Sequence, residues 1–187
     1  MTPVLSAARE IQDFCQREKW SFCIVGGLAV LRWGKPRTTQ DVDITLITGF
    51  GNEEAFVDRL LARFAARRKD ARDFALQNRV VLLKTAAGIG IDIALGGFRF
   101  EELAVQRATS FEFEPGLFLV TASAEDIVVM KAFAGRPQDW ADVQGILRAQ
   151  SMLDWTYVIE QLTPLCELKE SPETVHKLSV LRDEESR

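Results

Sequence analysis

The run Ile24-Val25-Gly26-Gly27, followed by Asp41-Val42-Asp43, constrains this chain more than any other feature. Trp20 to Val25 reads as an apolar strand, and the glycine pair closes it with a turn. The two aspartates stand at the mouth of a second apolar stretch, Val42 to Ile47. Side chains at i and i+2 of a strand point to the same face, so Asp41 and Asp43 project together. Two carboxylates held side by side repel unless a cation lies between them. Oxygen-only donors suit Mg²⁺, which binds through one or two carboxylates and leaves other positions to substrate phosphates. The pattern points to metal-assisted phosphoryl or nucleotidyl chemistry.

Such a site needs a third ligand, and Asp92 is the candidate. It sits inside Gly90-Ile91-Asp92-Ile93-Ala94-Leu95, where a charge is costly unless it is paired or bound to metal. Gly26 and Gly27 let the backbone approach a ligand and free N–H groups at the start of the next helix, an arrangement that attracts phosphate. Arg37, Thr38 and Thr39 precede the carboxylate strand; the arginine suits a phosphate and the threonines can donate hydroxyl hydrogen bonds. Lys131 lies among Ile127, Val128, Met130 and Phe133, so it must snorkel or meet an anion. Arg136, Asp139 and Asp142 follow it, and Asp139 is placed to orient Lys131 or Arg136. Arg59, Arg63, Arg67, Arg68, Lys69 and Arg72 gather positive charge on one helix and its end. An RNA-facing surface has this look, but a solvated face offset by Asp58, Asp70 and Asp73 is the simpler reading.

Hydrophobic periodicity divides the chain into an α/β part over 1–121 and a helical part over 122–187. Helices are expected over Val4–Glu18, Leu28–Trp33 and Glu53 to about Lys69. Strands are expected over Trp20–Val25, Val42–Ile47, Phe74–Leu76, Val80–Lys84 and Ile89–Leu95. A further strand pair flanks Pro115-Gly116. Ser123 caps a helix from Asp126 to Ala134, two more follow, and the polar tail from Glu167 is expected to fray. The 187 residues suffice for one packed core with a helical extension, and 47% apolar content is ordinary for a globular chain. A net charge of −4 excludes an overall basic nucleic-acid glove, though not a local patch. No run of about 18 apolar residues appears, so no membrane span is expected. Cys15, Cys23 and Cys166 fit neither a disulfide framework nor a zinc site, and read as reduced thiols in a cytoplasmic protein. His176 is the only histidine and has no nucleophile site around it.

Val25-Gly26-Gly27, Asp41-Val42-Asp43 and Asp92 together resemble the nucleotidyltransferase superfamily typified by DNA polymerase β. The longer run with Gly34 and Arg37-Thr38-Thr39, and the later Lys131, Arg136, Asp139 and Asp142, look like its bacterial minimal branch. That branch includes the AbiEii-type toxins of toxin–antitoxin systems. Gly27 stands where many members of the superfamily have serine, so Thr38 or Thr39 would replace its hydroxyl. The resemblance implies an α/β (α+β) fold, a mixed β-sheet flanked by helices and followed by a C-terminal helical segment. It implies two Mg²⁺ ions held by Asp41, Asp43 and Asp92, an NTP bound also by Gly26, Gly27, Arg37, Lys131, Arg136 and Asp139, and transfer of an NMP to a hydroxyl. A toxin of that branch is expected to act on tRNA or another macromolecule, RNA being weakly favoured by the basic helix, and to have an antitoxin partner protein. The competing expectations are a small-molecule acceptor of the antibiotic type, or a nucleotide-binding or antitoxin-like protein without turnover.

Overall fold

The computed structural model describes residues 2–185. Its elements run α1 (Pro3–Arg17), β1 (Phe22–Val25), α2 (Gly26–Trp33), β2 (Asp41–Ile47), α3 (Glu53–Arg63), β3 (Ala65–Ala66), α4 (Ala71–Asn78), β4 (Val80–Lys84) and β5 (Gly90–Gly96). There follow α5 (Arg99–Arg107), β6 (Thr109–Glu114), β7 (Leu117–Thr121), α6 (Ala124–Ala134), α7 (Pro137–Ala149), α8 (Trp155–Leu168) and α9 (Glu173–Glu185). The strands form one mixed sheet in the order β3-β4-β5-β2-β1-β7-β6. The expected class, a mixed sheet flanked by helices and followed by a helical segment, is the one found.

Alternation makes the central strands. Val42, Ile44 and Leu46 of β2, and Ile91, Ile93 and Leu95 of β5, are almost wholly buried, while Asp41, Asp43 and Asp92 between them are half-buried. The two strands pair in parallel, and β1 and β4 flank them antiparallel. Helix α1 begins at Thr2, whose hydroxyl accepts the Leu5 N–H at 3.3 Å, with Pro3 in the first turn where its missing N–H costs nothing. Its Leu5, Ala8, Ile11 and Cys15 line one buried face.

Four details differ from the sequence expectation. The helix expected to reach Lys69 ends at Arg63, because Phe64 turns extended (φ −119°, ψ 148°) and buries its ring ahead of β3. Phe74–Leu76, expected as a strand, lies within α4. There Ala71 and Ala75 share the buried face, the Asn78 amide donates to the Phe74 carbonyl at 2.9 Å, and Arg79 ends the helix in the left-handed region. Helix α5 was not expected; the Glu101 carboxylate starts it by accepting the N–H groups of Gly97 (2.8 Å) and Phe98 (2.9 Å). The tail is helical where fraying was expected, except that residues 186–187 lie outside the described range. Leu178 of α9 is fully buried, and the Glu185 carboxylate accepts from Arg148 and Gln144.

The chain divides into two compact units. The first is the chain up to Leu28 with Thr38–Ala122, and carries the sheet. The second is Ala29–Arg37 with the chain from Ser123, and carries α6 to α9. In the second unit Asp126 is fully buried, accepts hydrogen bonds from the Ser123 and Tyr157 hydroxyls at 2.6 Å each, and so ties α6 to α8. Among the described residues no helix is long and apolar enough to cross a membrane, and the three cysteines are free and buried.

Candidate active site

The register of the sheet brings the three sequence-separated carboxylates onto one face. Asp43 is the direct partner of Asp92 across the parallel β2–β5 pair, and Asp41 shares its side of β2. Val25, the last residue of β1, is the partner of Asp43 on the other flank. The chain then turns sharply at Gly26, whose φ of +60° lies in the left-handed region. Glycine is required there for a second reason. A Cβ on Gly26 would lie 1.9 Å from Asp43 Oδ2 and 2.7 Å from Asp43 Cβ. The first turn of α2 is thus pressed against a carboxylate, with Gly27 buried behind it.

Asp92 sits where burial and two charges compete. Burial pushes its proton affinity up, the guanidinium of Arg67 pulls it down, and the nearby Asp41 charge raises it again; the net direction is upward. Arg67 forms an ion pair with Asp92. It was grouped in the sequence with the basic helix, and nothing there ties it to a carboxylate on a distant strand. The one sequence hint is Gly90: a Cβ there would come within 3.2 Å of Arg67 Nη1 and 3.5 Å of Asp41 Cβ. The donor set, three carboxylates on one face and no nitrogen or sulfur, fits a hard divalent cation such as Mg²⁺. Among the described residues, however, no three acidic, histidine or cysteine side chains are gathered around a single point. Thr39 donates its hydroxyl to the Asp41 carbonyl at 3.3 Å and shapes the entry to β2; Thr38 is exposed beside it.

Arg37, Lys131, Arg136 and Asp139 belong to the helical unit and form a cluster with Asp142. Lys131 Nζ lies 2.9 Å from both Asp139 Oδ1 and Asp142 Oδ2. Arg136 Nε donates to Asp139 Oδ2 at 2.6 Å, and Arg37 Nε lies 3.0 Å from Asp142 Oδ1. Lys131, Asp139 and Asp142 are buried. Burial alone would raise the Asp139 proton affinity, but the bonds from Arg136 and Lys131 outweigh it and hold the carboxyl below its usual range. Its stabilising effect is therefore present above the ordinary aspartate pKa and is lost as the pH falls through the lowered one. Asp139→Ala leaves Lys131 and Arg136 short of their shared partner, and should cost about 3 kcal/mol in a denaturant melt at neutral pH. The deficit should shrink in acid; a variant as stable as wild type at pH 7 would show that the cluster is not structural.

The basic residues expected on one helix and its end are spread over α3 (Arg59, Arg63), the segment after it (Arg67, Arg68, Lys69) and α4 (Arg72), and four of the arginines are compensated. Arg59 pairs with Glu18, Arg63 with Glu10, Arg68 with Asp70, and Arg72 with both Glu54 and Asp58.

The family profile described as "Nucleotidyl transferase AbiEii toxin, Type IV TA system" matches residues 15–167. That span contains the glycine turn, all three carboxylates and the Lys131 cluster. A crystal structure of an antigenic nucleotidyltransferase-like protein from Paracoccidioides brasiliensis superposes with a TM-score of 0.50 at 15% identity, covering 94% of this chain and 90% of that one. That likeness concerns the fold. The structure of ANT(2")-Ia in complex with adenylyl-2"-tobramycin gives a TM-score of 0.49 at 18% identity, covering 99% of this chain and 98% of that one. No curated protein sequence matches the chain. With most of its length matched by the family profile, the chain belongs to the AbiEii family of nucleotidyltransferase toxins of type IV toxin–antitoxin systems, and it is a nucleotidyltransferase.

Proposed function

We propose that this chain transfers an NMP from an NTP to a hydroxyl acceptor on RNA, tRNA being the leading candidate, and releases pyrophosphate. The observation that carries the reading is the register that aligns Asp43 with Asp92 and sets Asp41 on the same face. The acceptor oxygen attacks the α-phosphorus, the bond to the bridging oxygen breaks, and the electron pair leaves on pyrophosphate. Asp92 would complete the ligand set beside the acceptor hydroxyl and take up its proton as the oxygen attacks. Asp41, Asp43 and Asp92 would hold Mg²⁺, two ions in the fullest form. When bound, Mg²⁺ supplies positive charge to the attacking and leaving oxygens. The Gly26 and Gly27 amides open α2 beside Asp43, where N–H groups at a helix start favour phosphate. In the helical unit Arg37, Lys131 and Arg136 set three cations against Asp139 and Asp142, which leaves that cluster able to attract an anion. The family implies an antitoxin as partner protein, and buried reduced thiols with an NTP requirement suit the cytoplasm.

A small-molecule hydroxyl is the second reading. It is favoured by the pairing of Arg59, Arg63, Arg68 and Arg72 with carboxylates, which removes the basic stripe an RNA would follow. The test incubates the protein with each α-labelled NTP, Mg²⁺, total RNA and a protein extract, beside an Asp41→Asn/Asp43→Asn control. Label on RNA from the wild type alone is the expected result. Pyrophosphate release that needs a small-molecule extract and leaves RNA unlabelled selects the second reading. NTP binding with no turnover on any acceptor would overturn both.

A further inference from the structure

Arg67 starts from a fixed point. Its backbone N–H donates to the Leu82 carbonyl at 3.0 Å, on the short β3–β4 ladder at the end of the sheet. From there its side chain passes over β4 to Asp92 on β5. The guanidinium lies against Gly90, in space that any other residue at that position would narrow, with Asp41 Cβ close to the same point. Among the described residues, each of the other arginines between Arg59 and Arg72 pairs with a carboxylate outside the catalytic face. Arg67 is turned onto it. The pair is about one-third exposed on both sides, 33% for Arg67 and 31% for Asp92. An ion pair so placed is weak enough to be exchanged.

A guanidinium and a divalent ion cannot both own the same carboxylate oxygen. We propose that Arg67 is a built-in counter-cation that competes with divalent metal for Asp92. It holds the third carboxylate, and swings off when metal takes that ligand, so that the three carboxylates gather only on loading. The proposal rests on the reading of Asp41, Asp43 and Asp92 as metal ligands. It accounts for a donor set that is complete in chemistry and yet not gathered around one point. It also gives Gly90 a purpose, as the gap through which the guanidinium reaches the face and leaves it.

The test is a titration of the full chain with Mn²⁺, free metal being read by electron paramagnetic resonance, with no nucleotide present. Wild type, Arg67→Ala, Arg67→Gln, Arg67→Lys and Asp43→Asn are compared. Removing the competing charge should tighten Mn²⁺ binding roughly three- to tenfold in Arg67→Ala. Arg67→Gln keeps the reach, drops the charge and should behave alike, so the outcome does not hang on one variant folding. Arg67→Lys should stay near wild type, and Asp43→Asn should lose the site. In thermal melts Mn²⁺ should raise the Tm of Arg67→Ala by more than it raises that of wild type. Unchanged or weaker Mn²⁺ binding in both charge-removed variants, with the site still abolished by Asp43→Asn, would overturn the competition and leave the metal-site reading standing. Mn²⁺ that ignores all five proteins, or binds them all equally, would overturn both.

Discussion

Asp43→Asn should lower nucleotidyl transfer by at least about a thousandfold, a loss of roughly 4 kcal/mol in transition-state stabilisation. Asp43 is the residue at which the carboxylate strands and the glycine turn meet. It stands between Val25 and Asp92 in the sheet, and its carboxylate lies under the first residue of α2. Asparagine keeps the shape and removes the charge on which a metal ligand depends. The fold should therefore survive, with a circular dichroism spectrum like that of wild type, while pyrophosphate release falls. A variant within tenfold of wild-type rate would remove Asp43 from the chemistry and, with it, the assignment of this face.

Gly26→Ala should lose both stability and activity. The added methyl would lie 1.9 Å from Asp43 Oδ2 and 2.5 Å from Asp43 Cγ. Rotating the carboxylate away gives no relief, because Asp43 Cβ itself lies at 2.7 Å and moves only with the strand. The left-handed backbone at φ +60° adds about 1–2 kcal/mol for any residue with a Cβ, and overpacking adds about 1–3 kcal/mol. We expect a clear drop in Tm, and transfer per folded molecule reduced by roughly a hundredfold or more, since a displacement of about 1 Å in a catalytic group has that effect. Full activity at a reduced Tm would show that the glycine serves the turn alone.

The central strands were legible because their signals are local. Val42-Asp43-Ile44 and Ile91-Asp92-Ile93 alternate cleanly, and Gly26-Gly27 announces its own turn. Helix α4 was misread because Phe74-Ala75-Leu76 is a short apolar run, and such a run does not reveal its period. What makes it helical is the buried pair Ala71 and Ala75 and the left-handed stop at Arg79. Helix α5 is rich in charge and offered only the Glu101 cap, a signal that matters once Gly97 and Phe98 are known to present their N–H groups to it. Arg67 could not be found from spacing at all. Its partner Asp92 is far along the chain, and the two meet only through the order β3-β4-β5. The pairing of Arg59 with Glu18, which caps α1, and of Arg63 with Glu10 of α1 is likewise a product of packing, and it compensates charge that the sequence shows as a basic stripe.

The parallel alignment of β2 with β5 also governs when the chain acquires its charge constellation. Parallel neighbours cannot be joined by a hairpin, so β5 returns to β2 only after α3, β3, α4 and β4 have been threaded between them. A nascent chain emerging as far as the Ala86-Ala87-Gly88 turn carries Asp41 and Asp43 but not the residue opposite them. Two of the three charges are therefore made early and stay unmatched until the sheet closes. A chain cut short at that exposed turn would therefore lack Asp92, the partner of Asp43 and one of the three ligands proposed here.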